Sequence, residues 1–216
     1  GAIQSDGYIV YEHFEGMEGK KLLGCWAHAR RKFFEAKAEN EKLALEALSY
    51  IRRLYDVEAE ADALDAADNK PDHERRKALR QEKAYPEIKK FETWMEASIL
   101  KCPPKSLMEE AISYTYKILK KLSLYVTDGR YKIDNNMVEN SIRPLAIGRK
   151  NYLFCGDDDA AQRAAVVYSL LATCKAHGVN ERAWLEDALR RIPEYEQAGK
   201  DYADLLPGNW RALSAK

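Results

Sequence analysis

Two acidic residues of this chain stand where a carboxylate could bind a divalent cation. Asp6 follows residues 2–5, a run that is typical of the end of a strand, and Gly7 breaks that run. A carboxylate at a strand end can project into a cleft and bind a hard cation. Glu139 stands near the start of a predicted helix and opposite its apolar residues, so its carboxylate can also face a cleft. The plainer alternatives are an Asp-Gly turn at Asp6 and an ion pair between Glu139 and Arg143.

Cys25 and His28 have the C-x-x-H spacing of metal ligands. A structural zinc site needs four ligands, and neither His13 nor His73 belongs to a second pair with such spacing. We therefore expect His28 to orient a neighbouring carboxylate or to contact a phosphate, and a hydrogen-bonded core histidine is an equal alternative. The sequence contains no G-x-S-x-G, Walker A or G-x-G-x-x-G pattern, so those enzyme classes are not indicated.

Basic residues cluster in two segments, although the whole chain carries 35 basic and 35 acidic residues. Residues 19–34 contain five basic residues and no acid, and residues 130–151 contain five basic residues against two acids. Residues 54–69, which contain six acids and no base, lie between these segments. If the two segments share a face, they form a phosphate-binding surface; ordinary solvated faces are the alternative. Tyr152 and Phe154 suit stacking on nucleic acid, or are core residues of a basic loop. The candidates for DNA contact are Arg30, Arg31, Lys32, Arg143, Arg149 and Lys150.

Length and composition exclude several classes of protein. A chain of 216 residues with 46% hydrophobic residues can bury a core, which excludes a wholly disordered protein. No apolar run approaches the roughly 18 residues that a membrane span needs. No leader precedes the first residues, which predicts either a cytoplasmic protein or a chain whose true start is missing. The four scattered cysteines, Cys25, Cys102, Cys155 and Cys174, indicate a reduced compartment.

The elements that must position these residues are mainly helical. Two short strands are predicted at residues 2–5 and 21–25, with a short helix over residues 8–14 between them. Such a strand pair is marginal by itself and indicates the remainder of a larger sheet. Helices are predicted over residues 27–67, 73–101 with a kink at Pro86, 106–125 after a capping box of Ser106 and Glu109, 160–176, and 180–191 with Pro193 ending it.

A further helix is predicted to carry Glu139. Asp134 or Asn135 caps its start, Pro144 limits its length, and residues 148–156 are expected to be extended or looped. The apolar residues on one side of this helix are expected to anchor it by packing. They are Val138, Ile142 and Leu145.

Three long runs of this sequence, in this order, resemble the bacterial insertion-sequence-66 family of transposases. The runs are IQSDGYIVYEHFEG, LLGCWAHARRKFFEA and YKIDNNMVENSIRPLAIGRKNYLFCG, and the later LLPGNW fits the C-terminal end of that family. The middle of the chain, about residues 41–124, is similar mainly in its helical character and in the run IRRLYDVE. The resemblance covers nearly the whole chain.

The resemblance implies an RNase H-like catalytic core with three acids, Asp-Asp-Glu, that bind two Mg²⁺ or Mn²⁺ ions. Asp6 matches the second acid and Glu139 the third, while Cys25 and His28 match an accessory C-x-x-H signature. The first acid is expected on a strand upstream of residue 1, so the chain is expected to be a C-terminal part that is inactive when isolated. Double-stranded DNA and further copies of the protein are the implied partners.

The predicted fold class is therefore mainly α with a small β remnant (α+β), a partial RNase H-like core with a large all-helical insertion. Residues 1–26 are expected to form part of the core and residues 27–126 the insertion. Residues 127–216 are expected to hold the C-terminal part of the core and a helical end. The expected function is metal-dependent DNA cleavage and strand transfer by the full-length protein. A non-catalytic DNA-binding or oligomerisation module is the alternative, and a helical protein-interaction domain is a third.

Overall fold

A computed structural model describes residues 1–7, 9–152 and 154–214, with the side chains of all of these except residue 9 and residues 211–214. The described chain is mainly helical and contains one two-stranded sheet, which confirms the predicted mainly α class. The chain divides into two compact units, Gly1–Met137 and Val138–Lys216, called the N-terminal and C-terminal units below. Within the described ranges, no helix is both long enough and apolar enough to cross a membrane.

The sheet consists of two short parallel strands, β1 (Ala2–Gln4) and β2 (Lys21–Leu23), which confirms both predicted strands. A 3-10 helix, Ile9–Phe14, lies in the connection between them. The short helix predicted over residues 8–14 is therefore confirmed as a 3-10 helix, and Tyr8 lies outside the described residues.

The long helical segment predicted over residues 27–67 is two helices, α1 (Trp26–Ala36) and α2 (Glu41–Ala67). The prediction of one continuous helix was wrong because Asn40 starts a new helix. Its side chain accepts a hydrogen bond from the Leu43 backbone N–H at 3.1 Å, as an N-cap residue does. Helical periodicity alone does not show such a break.

The next predicted helix, over residues 73–101, is interrupted as Pro86 indicated. It begins with α3 (His73–Leu79), which Asp72 caps, passes through a π-helical turn, Arg80–Ala84, and continues as α4 (Tyr85–Ile99). A proline has no N–H to offer the preceding turn, so the wider π turn lies where the regular ladder cannot continue.

Ser106 begins the third predicted helical segment, which divides into α5 (Leu107–Lys117), α6 (Leu119–Ser123) and a 3-10 turn, Leu124–Thr127. Only half of the predicted capping box is seen. The Ser106 hydroxyl accepts from the Glu109 backbone N–H at 3.2 Å, but the Glu109 carboxylate accepts a hydrogen bond from the Ser113 hydroxyl at 2.6 Å.

The core of the N-terminal unit is formed mainly by the buried faces of α1, α2, α4, α5 and α6. Phe91 and Trp94 stack with ring centroids 5.6 Å apart, and Tyr50 stacks on Phe91 at 5.3 Å. Trp26 is fully buried and its indole N–H donates to the Leu122 carbonyl at 3.0 Å. Burial of these aromatic rings removes apolar surface from water and stabilises the packing of the helices against one another.

The C-terminal unit contains most of α7 (Asn136–Tyr152), followed by α8 (Asp158–Ala176), α9 (Glu181–Ala198) and α10 (Pro207–Ser214). Two predicted boundaries were wrong. Pro144 lies inside α7, so the helix extends over much of the segment expected to be extended or looped, and Pro193 lies inside α9. Gly199, with φ near +60°, ends α9 instead.

The core of the C-terminal unit is small. Trp184 is buried beside Cys174, and its indole N–H donates to the Leu205 carbonyl at 2.8 Å. The C-terminal residues also pack onto this unit, because the Trp210 indole N–H donates to Asp187 Oδ2 at 2.7 Å. The expected packing face of α7 is not buried in this unit. Its residues Val138, Ile142 and Leu145 are 55%, 54% and 41% exposed.

Candidate functional site

Asp6 lies at the carboxyl edge of the strand pair. The strands are parallel with Gln4 opposite Leu23, so Asp6 and Cys25 each stand two residues beyond the last paired position of their strands. Residues that follow parallel strands meet at the same edge of a sheet, where α/β proteins commonly bind ligands. The side chain of Asp6 is exposed at this edge, and helix α1 begins beside it at Trp26.

Tyr114 of α5 holds the backbone around Asp6. Its hydroxyl donates to the Asp6 carbonyl at 3.0 Å, and its ring lies 4.9 Å from the Lys32 ammonium. Burial is the main cause that raises the pKa of Tyr114, so the phenol is a donor at neutral pH. Gly7 has φ near +88°, and a Cβ there would approach the Tyr114 hydroxyl to 3.2 Å. The predicted turn at Asp6-Gly7 is therefore one that favours glycine.

Cys25 is buried at the start of α1, and burial raises the pKa of its thiol. Hydrogen bonds from backbone N–H groups, first that of Asn135, oppose this rise without reversing it. His28 Nε2 lies 2.9 Å from the Arg31 guanidinium. Within the part of the chain that the structure describes, no three His, Cys, Asp or Glu residues are grouped to hold a metal ion.

The basic residues of α1 lie on its outer face. Trp26, Ala29 and Phe33 are buried at three- and four-residue spacing, so Arg30 and Arg31 point away from the core and are exposed. Lys32 is half-buried because its side chain covers the Tyr114 ring. The candidates of the first basic segment are therefore accessible next to the edge that carries Asp6.

The polypeptide between α6 and α7, called the lead-in below (residues 125–135), is held from several elements. Arg80 donates to the carbonyl oxygens of Tyr125, Asp128 and Tyr131 at 2.8–3.0 Å. The Gln4 amide donates to the Lys132 carbonyl at 2.9 Å, and the Trp26 backbone N–H donates to the Ile133 carbonyl at 3.2 Å. The lead-in is thereby fixed beside the edge of the sheet.

Asp134, one of the two residues predicted to cap α7, lies near the end of the lead-in and binds the first residue of that helix. Its Oδ1 accepts from the backbone N–H of Asn136, the first residue of α7, at 3.1 Å. Its Oδ2 accepts from the side-chain amide of Asn136 at 3.0 Å and from the Tyr55 hydroxyl at 2.8 Å. Tyr55 lies in α2, 79 residues earlier in the chain.

Glu139 lies in the first turn of α7, where the positive end of the helix favours a carboxylate. It belongs to the C-terminal unit, whereas Asp6 belongs to the N-terminal unit. Arg143 and Lys150 follow Glu139 at spacings that place all three on one face of α7. Arg149 lies on a neighbouring face, and all three basic residues are exposed. Phe154 is 78% exposed, so the alternative that it is a core residue is not supported.

A cleft of about 690 Å³ lies between α7 and α8 within the C-terminal unit. Tyr152 and Tyr168 meet in it, with their hydroxyl oxygens 3.0 Å apart, and this bond is the main cause that raises the pKa of Tyr152 to about 12. The lining is mostly apolar and includes Ile142 and Leu145. The cleft contains no predicted carboxylate, so it is not part of the candidate metal site.

Sequence reasoning missed two residues of this region. Tyr55 and Tyr114 each stand at helical spacing among apolar residues, and a tyrosine at such spacing is usually a core residue. Their hydroxyl groups instead support the start of α7 and the backbone at Asp6. No local signal distinguishes such a hydroxyl from one that points to solvent.

Comparison with known families identifies the chain. Residues 1–163 match the Transposase IS66 family, and residues 169–207 match the IS66 C-terminal element. The chain therefore belongs to the IS66 family of transposases, as the resemblance predicted. No solved structure matches this chain.

The curated relatives are longer proteins from Sinorhizobium fredii. "Uncharacterized protein y4qI" is 36% identical over 98% of this chain and 39% of its own length. "Uncharacterized protein y4hP" is 32% identical over 100% of this chain and 40% of its own length, and "Uncharacterized protein y4jD" is 32% identical over 98% and 42%. The chain thus spans about two fifths of the length of these relatives.

Proposed function

We propose that this chain forms the C-terminal part of a DNA transposase that cleaves phosphodiester bonds and joins DNA strands with divalent metal ions. Asp6 and Glu139 supply two of the three metal-binding carboxylates, and the longer protein supplies the third. The observation that carries the proposal is the position of Asp6. It is an exposed carboxylate at the carboxyl edge of a parallel strand pair, in a chain of the IS66 transposase family.

The chemistry of these two side chains fits Mg²⁺ or Mn²⁺. Both ions prefer hard oxygen ligands, and carboxylates supply them. When bound, such ions activate the attacking oxygen and stabilise the leaving oxygen of a phosphodiester. The chain's own contribution is to hold Asp6 through the Tyr114 bond to its backbone and to place Glu139 in the first turn of α7.

An RNase H-like core is the architecture that we propose for the longer protein. Parallel strands occur almost only in sheets that helices cover, and a lone pair is marginal. The pair β1 and β2 therefore favours a sheet with further strands. The exposed apolar residues of α7 also favour a helix that packs against more structure in the longer protein.

The exposed basic residues are proposed to hold the DNA backbone. Arg30 and Arg31 lie on the outer face of α1, and Arg143 and Lys150 follow Glu139 along one face of α7. Contacts of this type position phosphates without recognising base sequence. Lys32 and Arg149 complete the proposed set.

The test uses a full-length protein that contains this sequence and a supercoiled plasmid bearing transposon ends. Glu139→Gln and Asp6→Asn keep the size of each side chain but remove its charge. Each should lower cleavage at least a thousandfold while DNA binding without metal stays within about threefold. Glu181→Gln is the matched control, because Glu181 is an exposed glutamate in the first turn of α9. Cleavage by Glu139→Gln at the rate of the control would refute the assignment.

A non-catalytic DNA-binding or assembly module is the second candidate. It is favoured by the exposed apolar residues of α7 and α8, which suit association with another copy. Such a module should bind duplex DNA without Mg²⁺. If all six basic residues contact phosphates, log K should fall with log salt at a slope of about −5. Metal-free binding together with wild-type cleavage by both carboxylate variants would favour this candidate.

A further inference from the structure

Tyr55 connects the long helix α2 to the start of the helix that carries Glu139. Its hydroxyl donates to Asp134 Oδ2 at 2.8 Å in a partly buried position. Burial first, and the Asp134 carboxylate second, raise the pKa of Tyr55, so its proton stays on the phenol throughout the physiological range. A neutral donor facing a carboxylate makes a charge-assisted hydrogen bond, which is stronger than a bond between neutral groups.

Asp134, which Tyr55 holds, is in turn hydrogen-bonded to the first residue of α7. The same carboxylate accepts from the backbone and the side chain of Asn136, at 3.1 and 3.0 Å. Asn136 is the first residue of α7, and Glu139 is three residues further along in the first turn. The first turn of a helix frays easily, because its N–H groups have no partners within the helix. A fixed carboxylate before that turn removes part of this freedom.

We propose that Tyr55 is a positioning residue for Glu139. This proposal rests on the metal-binding role proposed for Glu139. In it, α2 fixes the position at which the first turn of α7 begins. A metal-binding carboxylate must be held within about 0.5 Å of its productive position, so small disorder at the start of the helix weakens the metal site. Loss of the Tyr55 hydroxyl should therefore weaken metal use more than it weakens the fold.

The test is Tyr55→Phe in the full-length protein, with cleavage measured over a series of Mn²⁺ concentrations. The ring remains and only the hydroxyl is lost. The Mn²⁺ concentration for half-maximal cleavage should rise about tenfold, while DNA binding without metal stays within twofold. The matched control is Tyr116→Phe. Tyr116 of α5 likewise donates to a carboxylate, Glu96 Oε1, at 2.8 Å, but neither residue belongs to the lead-in or α7. The control should keep the wild-type Mn²⁺ requirement.

A second variant keeps the test decisive if Tyr55→Phe reduces the yield of folded protein. Asp134→Asn retains the size of the side chain but removes the charge that Tyr55 and Asn136 share. It should raise the Mn²⁺ requirement by a similar factor, and the double variant should be no worse than the more affected single one, since both changes break the same connection. Independent, multiplying effects in the double variant would overturn the proposal.

The result for Tyr55→Phe is compared with the cleavage activity of Glu139→Gln. If Glu139→Gln abolishes cleavage and Tyr55→Phe leaves the Mn²⁺ requirement unchanged, the positioning proposal is overturned and the function of Glu139 stands. If Glu139→Gln itself cleaves normally, the proposed function fails, and the positioning proposal fails with it. A raised Mn²⁺ requirement in Tyr55→Phe but not in Tyr116→Phe supports both.

Discussion

One buried arginine should contribute strongly to the stability of the lead-in to α7. Arg80 is fully buried in the π-helical turn, and its guanidinium makes five hydrogen bonds. Two go to the Glu58 carboxylate at 2.7 and 2.6 Å, and three go to carbonyl groups of the lead-in. We expect Arg80→Met, which keeps an unbranched chain but removes every donor, to loosen the lead-in and destabilise the N-terminal unit.

The expected loss of folding stability in Arg80→Met depends on the polar groups that the variant leaves without a hydrogen-bond donor. Removing one partner of a buried ion pair costs about 3–5 kcal/mol. Glu58 would keep a hydrogen bond from Arg76 at 3.1 Å, which favours the lower end of this range. Three carbonyl groups would lose a donor, which favours the upper end. We therefore expect a loss of about 4 kcal/mol, a large part of the 5–15 kcal/mol that stabilises a typical domain.

Hydrogen–deuterium exchange can measure this loss of stability in the N-terminal unit alone. Core amides of α2 and α4 exchange through opening of the N-terminal unit, and about 4 kcal/mol corresponds to roughly a thousandfold faster exchange. Amides of α9 report the C-terminal unit separately. The matched control is Arg53→Met. Arg53 pairs with Glu87 at 2.5 Å, but its side chain is 43% exposed, so the expected change is about fivefold or less.

The reasoning is refuted if Arg80→Met exchanges like the Arg53→Met control. That result would mean that the desolvation of the buried guanidinium cancels its five hydrogen bonds, as happens for some buried ion pairs. The variant Arg80→Lys tests whether the positive charge alone is enough or whether the arrangement of the guanidinium donors is also needed. A lysine keeps the charge but cannot direct donors at Glu58 and three carbonyl groups together, so its exchange should be intermediate.

Two further predictions concern the same unit. Gly129→Ala should destabilise it by about 1–3 kcal/mol in urea unfolding, because the new Cβ would lie 1.9 Å from the His73 carbonyl oxygen and the backbone must move; wild-type stability would contradict the close contact. The pKa of Asp65 is held well below its usual range, first by the Arg76 guanidinium and then by the Asp72 backbone N–H and Arg75. The ionised Asp65 carboxylate therefore contributes fully to folding stability above about pH 4, and this contribution is lost as the pH falls below that value. The stability gap between wild type and Asp65→Asn should therefore narrow from pH 7 to pH 3, and a gap independent of pH would contradict it.

Local signals in the sequence predicted much of the fold. Asp72 and Asn180 cap their helices by accepting from a backbone N–H three residues later, at 3.0 and 2.9 Å. Such bonds lie within one turn, so residue type and spacing reveal them. The strand before Asp6 was found in the same way, from a short run and the glycine that ends it.

The predicted ends of two exposed helices were wrong because a proline was taken to end each of them. Pro144 and Pro193 were expected to limit their helices, yet both lie inside them. A proline leaves one carbonyl of the preceding turn without its usual partner, and that loss is large only where water cannot reach the carbonyl. The residues around Pro144 are exposed, so solvent can satisfy the carbonyl of Asn140. Exposure depends on tertiary packing, which periodicity does not contain.

The supports of the candidate site could not be predicted, because they join distant parts of the chain. Tyr55 reaches Asp134 across 79 residues, and Arg80 reaches the lead-in across 45 to 51. The proposed metal ligands Asp6 and Glu139 stand out by residue type and local position, whereas nothing local distinguishes a supporting tyrosine or arginine from one on any other helix. The helices between the two acids hold the backbone at Asp6 through Tyr114 and the start of α7 through Tyr55. A change deep in those helices should therefore act on both ends of the proposed site, even where it touches neither carboxylate.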